Sequence, residues 1–204
     1  MRKKNNSLSL FNFMNPLFRY INNYVSTPIS KENFKNLQNF FIRKKLSKKK
    51  LLLQRGDVCT HFAFVVKGAL RQYYIDERGI QHSVNLYIEN WWAGDRESFV
   101  KFTPSIYCID ALEDCEVLLI TRENVLHLCR QCPAFNELLL KLDEQNSISV
   151  QRRITSISFS AEKRYKYFVK NYPFFINRIP QHIIASYIGI TKDTLSRLRR
   201  KLDQ

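Results

Sequence analysis

A chain of 204 residues with 45% hydrophobic content can bury one large core or two small ones. Its net charge of +15 is uneven: residues 1–57 carry 13 Lys/Arg against 2 Asp/Glu, residues 58–157 carry 10 against 13, and residues 158–204 carry 10 against 3. There is no apolar run of 18 residues to make a transmembrane helix, and the five irregularly spaced cysteines (Cys59, Cys108, Cys115, Cys129, Cys132) argue against a disulfide framework. The opening MRKKNNSLSLFNF has the charged start of a signal peptide, but no long apolar stretch or small-residue cleavage site follows. The expectation is a cytoplasmic protein without a membrane partner, with an acidic sensing or dimerising middle between two polyanion-facing ends.

In chain order, the first nine residues are polar and expected to lack regular structure, and a short amphipathic helix is expected around Pro16 to Val25. Ser30 opens a second helix whose Phe34, Leu37, Phe40 and Phe41 fall at helical spacing. The lysine-rich run from Arg43 to Asp57 reads as a strand edge with outward lysines, the alternative being a nucleic-acid patch. From Gly56 to about Ile120 short strands recur, punctuated by Gly56, Gly68, Gly79 and Gly94, with Asp76–Gly79 as a hairpin turn. Such spacing suggests a small antiparallel barrel or roll. Thr121 caps a helix to Leu128, and Pro133 begins one that reaches Ile157. Along it Leu139, Leu142, Asn146, Val150, Ile154 and Ile157 form a stripe suited to a parallel dimer seam, with Asn146 as a register residue; the alternative is a helix lying on its own domain. Ser160 to Tyr172 is a further helix, ended by Pro173.

The last 26 residues carry the sharpest pattern. Gln181 to Ile188 is a helix with Ile183, Ile184, Ala185 and Ile188 on one face, and Gly189 suits a left-handed helix end. Thr191 is an N-cap, with Ile190 placed to staple onto Leu195. The second helix buries Leu195, Leu198 and Leu202 and turns Asp193, Ser196, Arg197 and Arg200 outward. Two short helices with a basic, hydrogen-bonding outer face read as a helix-turn-helix that docks on DNA.

The strings GDVCTHFAFVVKGALRQYYIDERG (56–79), IENWWAGDRESF, PSIYCIDALEDCEVLLI, QRRI, SAEKRY and RIPQHIIASYIGIT occur in the order found in the Crp/Fnr superfamily of bacterial regulators, and this chain resembles its members common in Bacteroidetes from about residue 17 to 204. The resemblance implies an α+β protein. An N-terminal cyclic-nucleotide-binding-like antiparallel β-roll with its helices would span 1–130, a long dimerisation helix 131–157, and a C-terminal helix-turn-helix, winged-helix-like domain 158–204. It further implies a transcription regulator, not an enzyme, binding a near-palindromic duplex as a homodimer, with RNA polymerase and an unidentified small-molecule effector as further partners. The positions that match the family's base-reading residues are Lys192, Asp193 and Arg197; those at phosphate contacts are Gln181, Thr191 and Ser196, with Arg199, Arg200 and Lys201 adding to them. Many relatives continue into a β-hairpin wing after this helix, whereas this sequence stops at Gln204.

Nucleotide-binding members clamp the cyclic phosphate with an Arg-Ser pair downstream of a Gly-Glu. Here the matching residues are Gly94 and Asp95, and the clamp position holds Ser105. A buried phosphate without a bidentate cation binds poorly, so cyclic AMP is disfavoured. Trp91, Trp92, Arg96, Ser98, Ser105 and Tyr107, with Phe99 and Thr103, are the candidate lining of a different effector pocket; core filling is the alternative. A single CxxC, Cys129–Cys132, falls short of the four thiolates of an iron–sulfur cluster, and His61, His82, His127 and His182 lack haem or metal spacing, so no metal or cofactor is expected. The competing function is a small-molecule or redox-sensing module that acts through protein contacts without reading DNA sequence.

Overall fold

The structure, a computed structural model, describes the backbone of residues 2–202 and the side chains of residues 13–201. Among the described residues eight α-helices and eight strands follow in the order α1 (Arg2–Tyr24), α2 (Lys31–Leu37), β1 (Ile42–Leu46), β2 (Leu51–Leu53), β3 (His61–Lys67), β4 (Leu70–Ile75), β5 (Gln81–Tyr87), β6 (Trp92–Ala93), α3 (Arg96–Lys101), β7 (Cys108–Ala111), β8 (Cys115–Thr121), α4 (Arg122–Gln131), α5 (Pro133–Ile157), α6 (Ala161–Asn171), α7 (Gln181–Ile188) and α8 (Lys192–Leu202). By contact the chain divides into two compact units, residues 1–72 with 86–143 and residues 73–85 with 144–204.

The first unit contains a roll of two four-stranded sheets, ordered β1-β8-β3-β6 and β2-β7-β4-β5, whose β4–β5 tip belongs to the second unit. Period-2 alternation explains how β3 serves two cores: Ala63 and Val65 face the roll interior, while Phe64 packs with the helices. β8 does the same, Val117 and Leu119 pointing inward and Leu118 and Ile120 outward, so a strand buried on both faces reads as an unbroken apolar run. Outside the roll, Met14, Leu17 and Ile21 of α1 are fully buried with Phe34, Leu128, Phe135 and Leu138. That anchorage changes one expectation: α1 is helical from Arg2, because a nucleus fixed by tertiary packing propagates toward the N-terminus one hydrogen bond per residue. Gly68 sits at φ +105 with its α-carbon against Cys115; an added Cβ would lie 2.5 Å from the Cys115 Sγ, so only glycine closes this turn.

Several helix starts expected from sequence are capped as read. Ser30, Thr121 and Ser160 each accept a hydrogen bond from the backbone N–H three residues on, at 3.1, 3.2 and 3.3 Å. Asp76 shapes the β4–β5 turn by accepting from Arg78 N and Ile80 N, both at 2.9 Å. β1 is an edge strand whose first four residues are exposed, as the lysine-rich run implied.

A candidate nucleic-acid interface and the effector position

In the second unit α7 and α8 form the helix-turn-helix. Ile183, Ile184 and Ala185 are buried on one side of α7, and Leu195 is buried under α8. Gly189 takes φ +69, and the Gly189 and Ile190 amides close the helix end on Ser186 and Ala185 carbonyls at 3.2 and 2.9 Å. Thr191 then caps α8, its Oγ1 accepting from Thr194 N at 3.1 Å. Arg164 of α6, absent from the sequence-level site, completes the turn: its Nη1 donates to the Ile188 and Gly189 carbonyls at 3.1 and 2.9 Å. A long-range cation on a helix C-terminus leaves no periodic trace in sequence, though Arg near a helix-ending glycine follows the dipole rule.

On the outer side, Gln181, Thr191, Lys192, Asp193, Arg197, Arg200 and Lys201 are exposed, while Ser196, Leu198 and Arg199 are half-buried. Lys201 is not wholly available, since its Nζ pairs with Glu162 of α6 at 3.3 Å. Leu202 lies outside the residues whose side chains are described. The sheet edge reaches this module too: Ser83 N donates to Ser186 Oγ at 2.9 Å, and Arg153 donates to the Val84 carbonyl while its guanidinium lies 4.8 Å from the Tyr187 ring centroid. Burial pushes the Tyr187 hydroxyl up to about 12.

The seam stripe divides. Leu139 and Leu142 are partly buried against the helix-side core, and α5 lies on its own domain there. Asn146 is exposed, as are Val150, Ile154 and Ile157, the last two at 62% and 70%. Leu140, displaced by one residue from the expected stripe, is 64% exposed.

At the effector position, Asp95 caps α3, accepting from Glu97 N at 3.1 Å, and is itself buried. Ser105 Oγ donates to Asp95 Oδ2 at 2.7 Å and accepts from Tyr107 N at 3.0 Å. Ser98 is buried alongside, accepting from Cys59 N at 2.8 Å and donating to the Thr103 carbonyl at 2.6 Å. Ser98 and Ser105 thus meet in one buried network around Asp95, which Tyr107 joins only through its backbone. Trp91, Trp92, Phe99 and Arg96 do not join it: Trp91 and Phe99 pack on the roll interior, Trp92 on the helix-side core beside Phe64, and Arg96 pairs with Asp143. β6 begins at Trp92, directly after the turn that Trp91 N closes on the Ile88 carbonyl at 3.1 Å, and the two rings enter different cores. Among the described residues no group of three or more His, Cys, Asp or Glu is placed to hold a metal.

Residues 43–132 match the family model for the cyclic nucleotide-binding domain. Solved structures extend the likeness over both units. FixK2 from Bradyrhizobium japonicum is 15% identical, with a TM-score of 0.69 over 80% of this chain and 84% of that one. The catabolite activator protein of Thermus thermophilus is 21% identical, with a TM-score of 0.55 over 86% and 84%. A protein from Eubacterium rectale described as a Crp/Fnr-family transcriptional regulator is 18% identical, with a TM-score of 0.63 over 86% and 84%. The fold is that of the Crp/Fnr regulators. No curated protein matches the chain in sequence. Ser105, which the sequence resemblance sets at the phosphate-clamping position, donates its hydroxyl proton to the buried Asp95 carboxylate. A nucleotide phosphate placed there would meet a negative charge rather than a guanidinium, so the residues present do not fit a cyclic nucleotide.

Proposed function

We propose that the chain regulates transcription, binding a near-palindromic DNA site as a homodimer with one α8 in each major-groove half-site. The observation that carries this is α8 itself: Leu195 is buried beneath it, while Lys192, Asp193 and Arg197 are exposed at its capped N-terminal half. Arg197 suits bidentate pairing with guanine O6 and N7, and Asp193 accepts from cytosine N4. Gln181, Thr191, Ser196, Arg199, Arg200 and Lys201 then face phosphates and set register, without reading sequence. Val150, Ile154 and Ile157 form the exposed, C-terminal part of the dimer seam. Half-sites of such a dimer lie about 34 Å apart. RNA polymerase as a partner follows from the regulator role. The effector, if the roll takes one, is not an anionic cyclic nucleotide.

The test is selection of a randomised duplex pool by the purified protein, with no ligand added. Enrichment of a palindrome with two half-sites one helical turn apart is the expected result. Salt-sensitive binding that enriches no sequence would overturn specific readout and favour a sensing module that acts through protein contacts.

A further inference from the structure

Of the five cysteines, Cys59, Cys108 and Cys115 are buried in the roll. The Cys59 and Cys115 Sγ atoms each donate to a carbonyl, of His61 and Ala69 respectively, at 3.3 Å. Such thiols serve as small apolar fillers. Cys129 and Cys132 differ: both are half-buried, and they sit where α4 ends and α5 begins.

Local backbone geometry brings this pair together. Cys129 lies in the last turn of α4, and Cys132 closes that helix, its N–H donating to the Leu128 carbonyl at 2.8 Å. Helical spacing therefore persists to Cys132, and residues three apart on a helix have Cβ atoms about 5–6 Å apart. Pro133 has no N–H with which to continue α4, so α5 starts afresh. The Cys132 carbonyl accepts from Phe135 N at 2.9 Å and Asn136 N at 3.2 Å, which fixes the residue from both sides. Both cysteines pack against one core, that of Leu128, Phe135 and Leu138, and the Cys132 thiol is close enough to act electrostatically on that of Cys129.

The donor set selects the kind of ion it can hold. Among the described residues no third His, Cys, Asp or Glu joins the two thiols. Structural zinc and iron–sulfur clusters call for four ligands, and calcium and magnesium call for oxygen. A closed-shell monovalent ion is satisfied by two thiolates, and soft sulfur donors favour Cu(I) among first-row ions. Metal–thiolate bonds are about 2.3 Å long, so one ion spans two sulfurs about 4.6 Å apart. Rotation about χ1 brings sulfurs on neighbouring Cβ atoms to that separation.

We propose that Cys129 and Cys132 form a two-coordinate site for a soft monovalent cation, Cu(I) being the first-row example. Loading exchanges two S–H bonds for two metal–sulfur bonds and releases both protons to solvent, with no change of oxidation state. The pair is too small for an iron–sulfur cluster, as its spacing implied, yet it is complete for this ion.

The experiment titrates Cu(I) into reduced full-length protein without oxygen, in competition with a chromophoric Cu(I) chelator. Expected are one chelator-resistant ion per chain and an ultraviolet thiolate-to-copper charge-transfer band. Cys129→Ser and Cys132→Ser should each lose the ion and the band while keeping the circular dichroism of the unaltered protein. Full retention of the ion in both variants would overturn the proposal and put copper on the buried thiols. No ion held against the chelator would overturn it as well, and one ion per two chains would make it a bridge between copies instead. Excess Zn(II) should leave the copper in place; its displacement would reveal further ligands and refute two-coordination. A last readout needs no variant: bound Cu(I) should shield Cys129 and Cys132 together from alkylation, mapped by mass spectrometry, and alkylation of either in the loaded protein would sink the site.

Discussion

Ser105, which the sequence resemblance matches to the phosphate-clamping arginine of nucleotide-binding relatives, has its hydroxyl held by Asp95 at 2.7 Å. Restoring the arginine alone is therefore expected to fail: in Ser105→Arg the guanidinium would pair with the Asp95 carboxylate beside it. Calorimetric titration with cyclic AMP should show no binding, and tight binding would refute this account of the position. Arg197 is the opposite case, an exposed side chain whose value depends on a ligand. Arg197→Ala should cost about 1–3 kcal/mol at the selected site and relax one base preference, measured by selection and titration of the variant. Glu137 offers a test by pH. Its carboxylate accepts from Lys141 Nζ, Ser26 N and Ser26 Oγ, tying the segment after α1 to α5, and these bonds hold its pKa down to about 2 from 4.5. A depressed folded-state pKa means that the unfolded chain binds the proton more readily. The stabilisation is thus fully present above the ordinary glutamate value and is lost as pH falls from there through about 2. A carboxyl NMR titration should show that low midpoint in the native protein, and a midpoint near 4.5 would deny the latch.

Among the elements, α5 changes role along its length. Its stripe of Leu139, Leu142, Asn146, Val150, Ile154 and Ile157 advances 18 residues in five turns, the pitch of a straight helix, so periodicity alone marks a single face. Its first two members pack on the roll's own helices, while Val150, Ile154 and Ile157 remain exposed. Ile154→Glu should therefore abolish the dimer, seen as a monomer in equilibrium sedimentation, without loss of helical circular dichroism. A dimer that persists would place the seam elsewhere. The α7–α8 turn shows how an element is finished from outside. Its own sequence supplies Gly189 and Thr191, but the carbonyls of Ile188 and Gly189 are met by Arg164 from α6.

For the molecule as a whole, the two compact units predict separable stability. Arg71 and Asp110 join β4 to β7 in a largely buried bidentate pair, at 3.0 and 2.7 Å, within the first unit. Asp110→Ala leaves a buried guanidinium without its carboxylate and should cost about 3 kcal/mol. Native-state hydrogen exchange should register that loss in the amides of β3, β7 and β8 and leave those of α6 to α8 unchanged. Equal acceleration in both would mean that the units unfold as one.

Local rules were enough for the features that repeat or terminate. Strand alternation, the caps at Ser30, Thr121, Ser160 and Thr191, the Asp76–Gly79 turn and the left-handed Gly189 each depend on a few consecutive residues, so each was legible in the sequence and is present. The order of motifs likewise pointed to the Crp/Fnr fold. What sequence left open were matters of which distant partner a side chain meets. Trp91 and Trp92 looked like one pocket but take opposite cores; Arg96 goes to Asp143; α1 extends to Arg2 because Met14, Leu17 and Ile21 are buried. Arg164 and Arg71 acquire roles only through groups dozens of residues away, and Glu137 reaches Ser26 as well as its helical neighbour Lys141. Periodicity reports the face on which a residue lies, because backbone geometry is local; the partner on that face is fixed by packing of the whole chain.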